Sequence, residues 1–184
     1  MRTFIAVEVP QNVQEKVGSY IGTLKGLIKG VKWVAQNNLH FTIKFLGEVE
    51  ESQLSEIQQC VTEAVTDSGL FTVSLSGIGF YPSEKNPKVI WIGTDGGVDT
   101  LIDIFHHLEE SLEHLGFDRE EKTFSPHLTI GRAKRYSKVK IPEGLPEFDS
   151  MVFEVTGIAV MKSTLTPSGP IYEKMFERHL TQVM

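Results

Sequence analysis

Two short stretches of this chain carry the same pair of reactive side chains at the same spacing. His40-Phe41-Thr42-Ile43 lies within the run Leu39 to Leu46, and His127-Leu128-Thr129-Ile130 lies within Pro126 to Arg132. An imidazole takes and gives protons near neutral pH, and a hydroxyl can donate to an anionic oxygen. Both runs are built from β-branched, aromatic and aliphatic residues with polar positions alternating, so both read as strands. In a strand, residues two apart share a face. Each copy therefore presents one imidazole and one hydroxyl on the same side. Two such strands facing one another would join two histidines and two threonines, a set suited to metal-free acid–base chemistry on a phosphate.

Nearby residues are read by the same register. Arg132 lies five positions after His127, so an ideal strand would turn it away, but Gly131 offers a place for a bulge that turns it back. Lys44 is in register with His40 and Thr42, which puts it on a cleft rim or in solvent. Phe41, Phe45 and Leu128 are out of register and read as core. His106, His107 and His114 fall on one helical stretch with no third ligand in view and read as surface residues, and His179 has no motif around it. No metal site and no cofactor are expected.

These side chains need a frame. Phe4 to Val9 alternates as a first strand and stops at Pro10, which suits a strand better than a signal peptide. Val13, Val17, Ile21, Leu24 and Ile28 give a helical period over 11–29. Val31 to Ala35 is a short extended piece before the first motif strand. Ser52 stands as the cap of a helix marked by Leu54, Ile57, Val61 and Val65, ending near Gly69. Leu70 to Phe80 and Lys88 to Thr94 read as strands around the turn-rich 81–87. Val98 to Leu115 is a third helix closed by Gly116. Thr123 to Ala133 holds the second motif strand. The linker 134–149, rich in proline, glycine and charge, is a candidate lid. Met151 to Ser163 and Pro170 to His179 read as closing strands.

The halves of the chain echo each other. Phe4-Ile5-Ala6-Val7 lies as far before His40 as Trp91-Ile92-Gly93-Thr94 lies before His127. Further on, Ser76-Gly77-Ile78-Gly79, Ser83 and Pro87 align with Thr156-Gly157-Ile158-Ala159, Ser163 and Pro167 at one constant offset. Ordered internal similarity of this kind implies a duplicated unit. Two copies about a pseudo-twofold axis would bring both histidines into one cleft. The fold class expected is α+β: a bilobal duplicated fold, an antiparallel sheet in each lobe with helices outside, and residues 1–184 forming one domain.

Bulk properties narrow the function. With 184 residues and a net charge of −6, the chain is globular and is not a generally basic nucleic-acid binder, so any nucleic-acid contact must come from a local patch. Cys60 is the only cysteine, which excludes an internal disulfide and suits a reducing cytoplasm. No apolar run approaches the roughly 20 residues that span a bilayer, so no membrane partner is expected.

With both motifs and their order in place, the chain resembles the two-histidine (2H) phosphoesterase superfamily, and within it the RNA 2′,3′-cyclic phosphodiesterases, also called RNA 2′,5′-ligases. The likeness covers nearly the whole chain. It is carried by Arg2-Thr3-Phe4-Ile5-Ala6, Trp33-Val34, Asn38 to Glu48, Phe124 to Arg132, Ser163-Thr164-Leu165 and Gly169-Pro170-Ile171-Tyr172. The resemblance implies a bilobal α+β fold with the site between lobes. It implies His40 as proton donor to the leaving group, His127 as proton acceptor from water, and Thr42, Thr129 and Arg132 as phosphate ligands. The implied substrate is RNA ending in a 2′,3′-cyclic phosphate, tRNA fragments being one candidate, and the implied product is the 2′-phosphate. Ligation in reverse, forming a 2′–5′ link, is a further implication. Spacing alone does not say which histidine is acid and which is base.

Two alternatives compete. The same chemistry on a small cyclic phosphate, such as a nucleotide or ADP-ribose cyclic phosphate, would need a closed pocket; a basic rim of Lys44, Arg132, Lys134 and Arg135 would favour RNA. A non-catalytic module that binds RNA ends would need the phosphate contacts but not both titrating groups. Trp33, Phe80 and Tyr81 could stack on a base, or pack in the core. A monomer is the default assembly.

Overall fold

The computed structural model describes residues 1–182. Its strands are β1 (Arg2–Glu8), β2 (Val31–Trp33), β3 (His40–Glu48), β4 (Phe71–Ser83), β5 (Asn86–Gly96), β6 (Leu128–Ala133), β7 (Met151–Val155), β8 (Gly157–Thr166) and β9 (Gly169–His179). The helices are α1 (Gln11–Leu27), α2 (Leu54–Ala64) and α3 (Val98–His114). No helix among the described residues is long and apolar enough to cross a membrane.

The strands form two antiparallel sheets, one in the order β3-β1-β8-β9 and the other β2-β6-β5-β4-β7. Each motif strand lies beside its repeat partner: β3 next to β1 in the first sheet, β6 next to β5 in the second. β8 and β4 then take equivalent third positions. The strand order therefore reproduces the internal alignment of Phe4–Val7 with Trp91–Thr94 and of Ser76–Gly79 with Thr156–Ala159. The halves also exchange strands. β2 and β4 leave the first half for the second sheet, and β8 and β9 leave the second half for the first sheet.

Alternation decides which face of each strand is core. Ile5 and Val7 join the main core with Phe41, Ile43, Ile158 and Val160, whereas Phe4, Ala6, Ala159 and Met161 form a small separate cluster on the opposite face with Tyr172. The helices close over the main core through Val13, Val17, Ile21 and Leu24 of α1, Ile57 and Val61 of α2, and Leu101, Ile104, Leu108 and Leu112 of α3.

Several local expectations are revised. Ser52 does not cap α2. A single 3-10 turn, Glu51–Gln53, precedes the helix, and Gln53 Oε1 accepts from the Glu50 backbone N–H at 3.0 Å. Glu50 thus caps that turn, and Gln53, which stands at the N-cap of α2 itself, makes no side-chain cap bond there. The 81–87 segment is mostly strand, with only residues 84–85 in the turn. Met151 to Ser163 is two strands rather than one: β7 ends at Val155 in the second sheet, and β8 starts at Gly157 in the first. An apolar alternating run continues across Thr156, so nothing in the pattern marks the change of sheet. The 134–149 linker has no helix or strand, but it is pinned. Val139 and Phe148 are buried, Phe148 packs edge-on against Tyr20 of α1, and Tyr20 Oη donates to Pro146 O at 2.8 Å.

Candidate active site

The open faces of the two sheets meet at a cavity of about 480 Å³ whose lining includes His40, Thr42, His127, Thr129 and Arg132. The five residues singled out by the sequence are therefore brought together from both halves of the chain. No residue of the 134–149 linker, Lys134 and Arg135 included, is among the lining residues, so of the four residues of the basic rim that would favour RNA only Lys44 and Arg132 line the cavity.

The two histidines are held in the same way. His40 Nδ1–H donates to Asn38 O at 2.7 Å, and His127 Nδ1–H donates to Ser125 O at 2.8 Å, in each case the carbonyl two residues earlier. A carbonyl only accepts, so Nδ1 carries the hydrogen and Nε2 is left for chemistry. An aromatic ring from the neighbouring strand backs each imidazole: Phe4 at 4.9 Å between ring centres for His40, Trp91 at 5.9 Å for His127. Phe4 and Trp91 are the residues that the internal alignment pairs.

The surroundings then diverge. His40 is half-buried, with Tyr172 edge-on at 5.2 Å and the Thr42 hydroxyl 3.0 Å from its Nε2. Burial pushes its pKa below the ordinary histidine value, and the Arg132 guanidinium adds to the fall; the Asn38 carbonyl and Glu8 oppose it. His127 is exposed to solvent.

Both motif strands carry a bulge at the same place. Thr42 pairs with Ala6 and Lys44 with Ile5, so Ile43 is extra; Thr129 pairs with Trp91 and Gly131 with Ile90, so Ile130 is extra. A bulge reverses the face of every residue beyond it. The fifth position after each histidine is thereby turned to the cavity: Phe45 in the first copy, Arg132 in the second. The bulge expected near Gly131 is present, one residue earlier. Its twin in the first copy overturns one reading and settles another. Phe45 is not core but 55% exposed. Lys44 is among the residues that line the cavity, but it is not in solvent: it is 3% exposed and paired with Glu109 of α3, which is 4% exposed. Lys44 Nζ also donates to Asp118 O at 2.8 Å, and Glu109 Oε2 accepts from the Glu120 backbone N–H at 2.7 Å. This buried network ties β3 to the loop that leads to His127.

Of the aromatic candidates, Trp33 and Phe80 pack against the core and Tyr81 lines the cavity. Trp91, Phe45 and Tyr172 also line it and were not singled out as site residues. The alignment of Trp91 with Phe4 was the one signal that could have found the first of them. His106, His107 and His114 are exposed, as read, and His179 is exposed as well. Among the described residues no group of three or more His, Cys, Asp or Glu is arranged to hold a metal ion.

Comparison with known proteins gives a consistent picture. A family model described as LigT-like phosphoesterase matches twice, over residues 7–91 and 92–172. A curated relative, the RNA 2′,3′-cyclic phosphodiesterase of Methanocaldococcus jannaschii, is 39% identical over 181 residues, 96% of this chain and 99% of its own. A second with the same name, from Thermotoga maritima, is 37% identical over 179 residues, 96% of this chain and 94% of its own. Among solved structures, TT0787 of Thermus thermophilus superposes with a TM-score of 0.86 at 26% identity over 99% of both chains. E. coli LigT in its apo form shares the fold, with a TM-score of 0.81 at 22% identity over 98% of both. Duplicated sheets, twinned histidine strands and two successive matches over most of its length agree: this chain belongs to the LigT-like phosphoesterase family.

Proposed function

We propose that this chain opens the 2′,3′-cyclic phosphate at an RNA 3′ end to a 2′-phosphate, using His40 and His127 without a metal. The observation that carries the reading is the pair of imidazoles, each fixed through Nδ1 to a backbone carbonyl, in one cavity with Thr42, Thr129 and Arg132. The relatives named RNA 2′,3′-cyclic phosphodiesterase, similar over nearly their whole length, supply the substrate class.

In this reading a water oxygen attacks phosphorus as His127 Nε2 takes its proton. The P–O3′ bond breaks, and His40 Nε2–H gives its proton to the departing 3′ oxygen. In-line displacement needs the two groups on opposite sides of phosphorus. Solvent exposure of His127 favours it as the partner of water, and the aromatic enclosure of His40 favours it as the partner of the ribose oxygen. Burial lowers the affinity of His40 for its proton in the free protein. A phosphate anion bound beside it offsets the Arg132 charge and draws the proton back. Thr42 and Thr129 hydroxyls and the Arg132 guanidinium hold the non-bridging oxygens as charge develops. The same groups run backwards would join the cyclic phosphate to a 5′-hydroxyl. All five residues come from one chain, which favours a working monomer, and the single buried cysteine suits the cytoplasm.

The test is turnover of a short cyclic-phosphate-ended RNA in EDTA by wild type, His40→Ala and His127→Ala, with the product phosphate mapped. The expected result is metal-independent formation of the 2′-phosphate, reduced about 10²–10⁴-fold in either variant. Tight binding with no turnover by the wild type would leave an end-binding module. Turnover of small cyclic phosphates alone would move the substrate class.

A further inference from the structure

The β4–β5 hairpin presents a row of side chains to the cavity that the chemistry above does not use. Gly79 pairs with Trp91 and Tyr81 with Val89, with no irregularity between them. Ile90 is core, so these four lie on the opposite, cleft-facing side. Trp91 lies flat there. A Cβ on Gly79 would sit 2.1 Å from the indole Cζ2, and one on Gly93 would sit 3.2 Å from Cζ3. The indole therefore covers the backbone of two glycines, and its other face is left to the cavity. The aligned ring in the first sheet, Phe4, lies in a cluster with Ala6 and Ala159, which the internal alignment pairs with Gly93 and Gly79. Phe4 is buried, whereas Trp91 is only half-buried. The second sheet has thus lowered its floor to seat a larger ring and kept one face of it open.

Beyond Trp91 on the same face, Tyr81 is 53% exposed. Lys122 Nζ donates to Tyr81 Oη at 3.2 Å and lies 5.4 Å from the centre of its ring. Among the described residues Lys122 has no carboxylate within ion-pair distance. The cavity lining holds three cations, of which Lys44 is neutralised by Glu109, and a single carboxylate, Glu120. In a chain of net charge −6, this is a local positive site.

We propose that the cleft face of the β4–β5 hairpin is a track for single-stranded RNA: the Trp91 indole stacks on the terminal nucleobase, and Lys122, steadied by Tyr81, takes the phosphate that joins this nucleotide to its 5′ neighbour. The inference rests on the RNA-end reading and deepens it, because it makes the polynucleotide, rather than a free cyclic mononucleotide, the better substrate. Stacking accepts every base, since each has a π-face, so the track is tolerant of sequence.

The experiment compares kcat/KM on a cyclic-phosphate-ended pentanucleotide and on a cyclic mononucleotide for wild type, Trp91→Leu and Lys122→Gln. Trp91→Leu is expected to lose on the order of tenfold on both substrates, since both carry a base. Lys122→Gln is expected to lose on the pentanucleotide only and to lower the salt slope of its binding by about one. A parallel arm titrates intrinsic fluorescence with a pentanucleotide ending in a 2′-phosphate. The chain has two tryptophans, so quenching should persist in Trp33→Phe and vanish in Trp91→Phe. Equal effects of Lys122→Gln on both substrates, or quenching that survives Trp91→Phe, would overturn the track. If the wild type turns over neither substrate, the RNA-end hydrolase reading fails, and the fluorescence arm still decides whether the track binds RNA.

Discussion

The two histidines are twins in sequence and in tautomer but not in environment. His40 sits below the ordinary histidine pKa because burial and Arg132 both disfavour its charge. Replacing Arg132 by Gln removes the second cause, so the His40 imidazole should titrate at higher pH than in wild type. NMR titration of the ring in the free protein reads this directly, and an unchanged His40 would refute the coupling. Adding inorganic phosphate to the wild type should move it the same way. The sign for stability follows. The unfolded chain takes a proton at His40 near pH 6.5, above the folded-state value, so acidification through that interval favours unfolding. His40→Gln should flatten the fall of stability over that window, which urea titrations at a series of pH values would detect.

Among the secondary elements, the twin bulges do most to shape the site. They were half legible. Gly131 hinted at one, and Arg132 was read as turning back because of it. The other follows a motif with no glycine at the equivalent place, so Phe45 was assigned to the core and the burial of Lys44 went unread. Period-two reading fails wherever one residue is unpaired, and a bulge is a property of two strands together. The buried lysine gives a prediction. Lys44→Met leaves the Glu109 carboxylate buried and unpaired and should cost about 3–5 kcal/mol, while Lys44→Met with Glu109→Leu should recover most of it. Urea denaturation of the three proteins tests this, and additive losses in the double variant would deny the pairing. Gly79→Ala makes a second case. Its Cβ meets the Trp91 ring, and overpacking of this kind costs about 1–3 kcal/mol. Near-UV circular dichroism should report a displaced indole; an unaltered spectrum would mean that the ring is not seated on that glycine.

Across the molecule, exchange of strands between the halves governs cohesion. Each sheet takes strands from both halves, and the boundary between the two family matches falls inside β5. Neither half can complete a sheet alone. Urea unfolding followed by far-UV circular dichroism and by tryptophan fluorescence should give one coincident transition. Separated transitions, or a stable fragment covering 1–91, would show that the halves are independent.

Local pattern alone was enough for most of the secondary elements, for the duplication and for the meeting of the two histidines. Periodicity, glycine and proline placement, and the repeated His-x-Thr are properties of neighbours along the chain and can be read without knowledge of the fold. Duplication then carried the two motifs to one cavity. Tertiary pairing was needed to settle which sheet each strand joins, where the bulges fall and which lysine is buried against Glu109. It also settled which aromatic ring keeps a free face. Each of these depends on residues far apart in the chain, where register, desolvation and close packing are fixed jointly by both partners. The apolar run across Thr156 shows this plainly: its pattern is continuous, yet its two ends belong to different sheets.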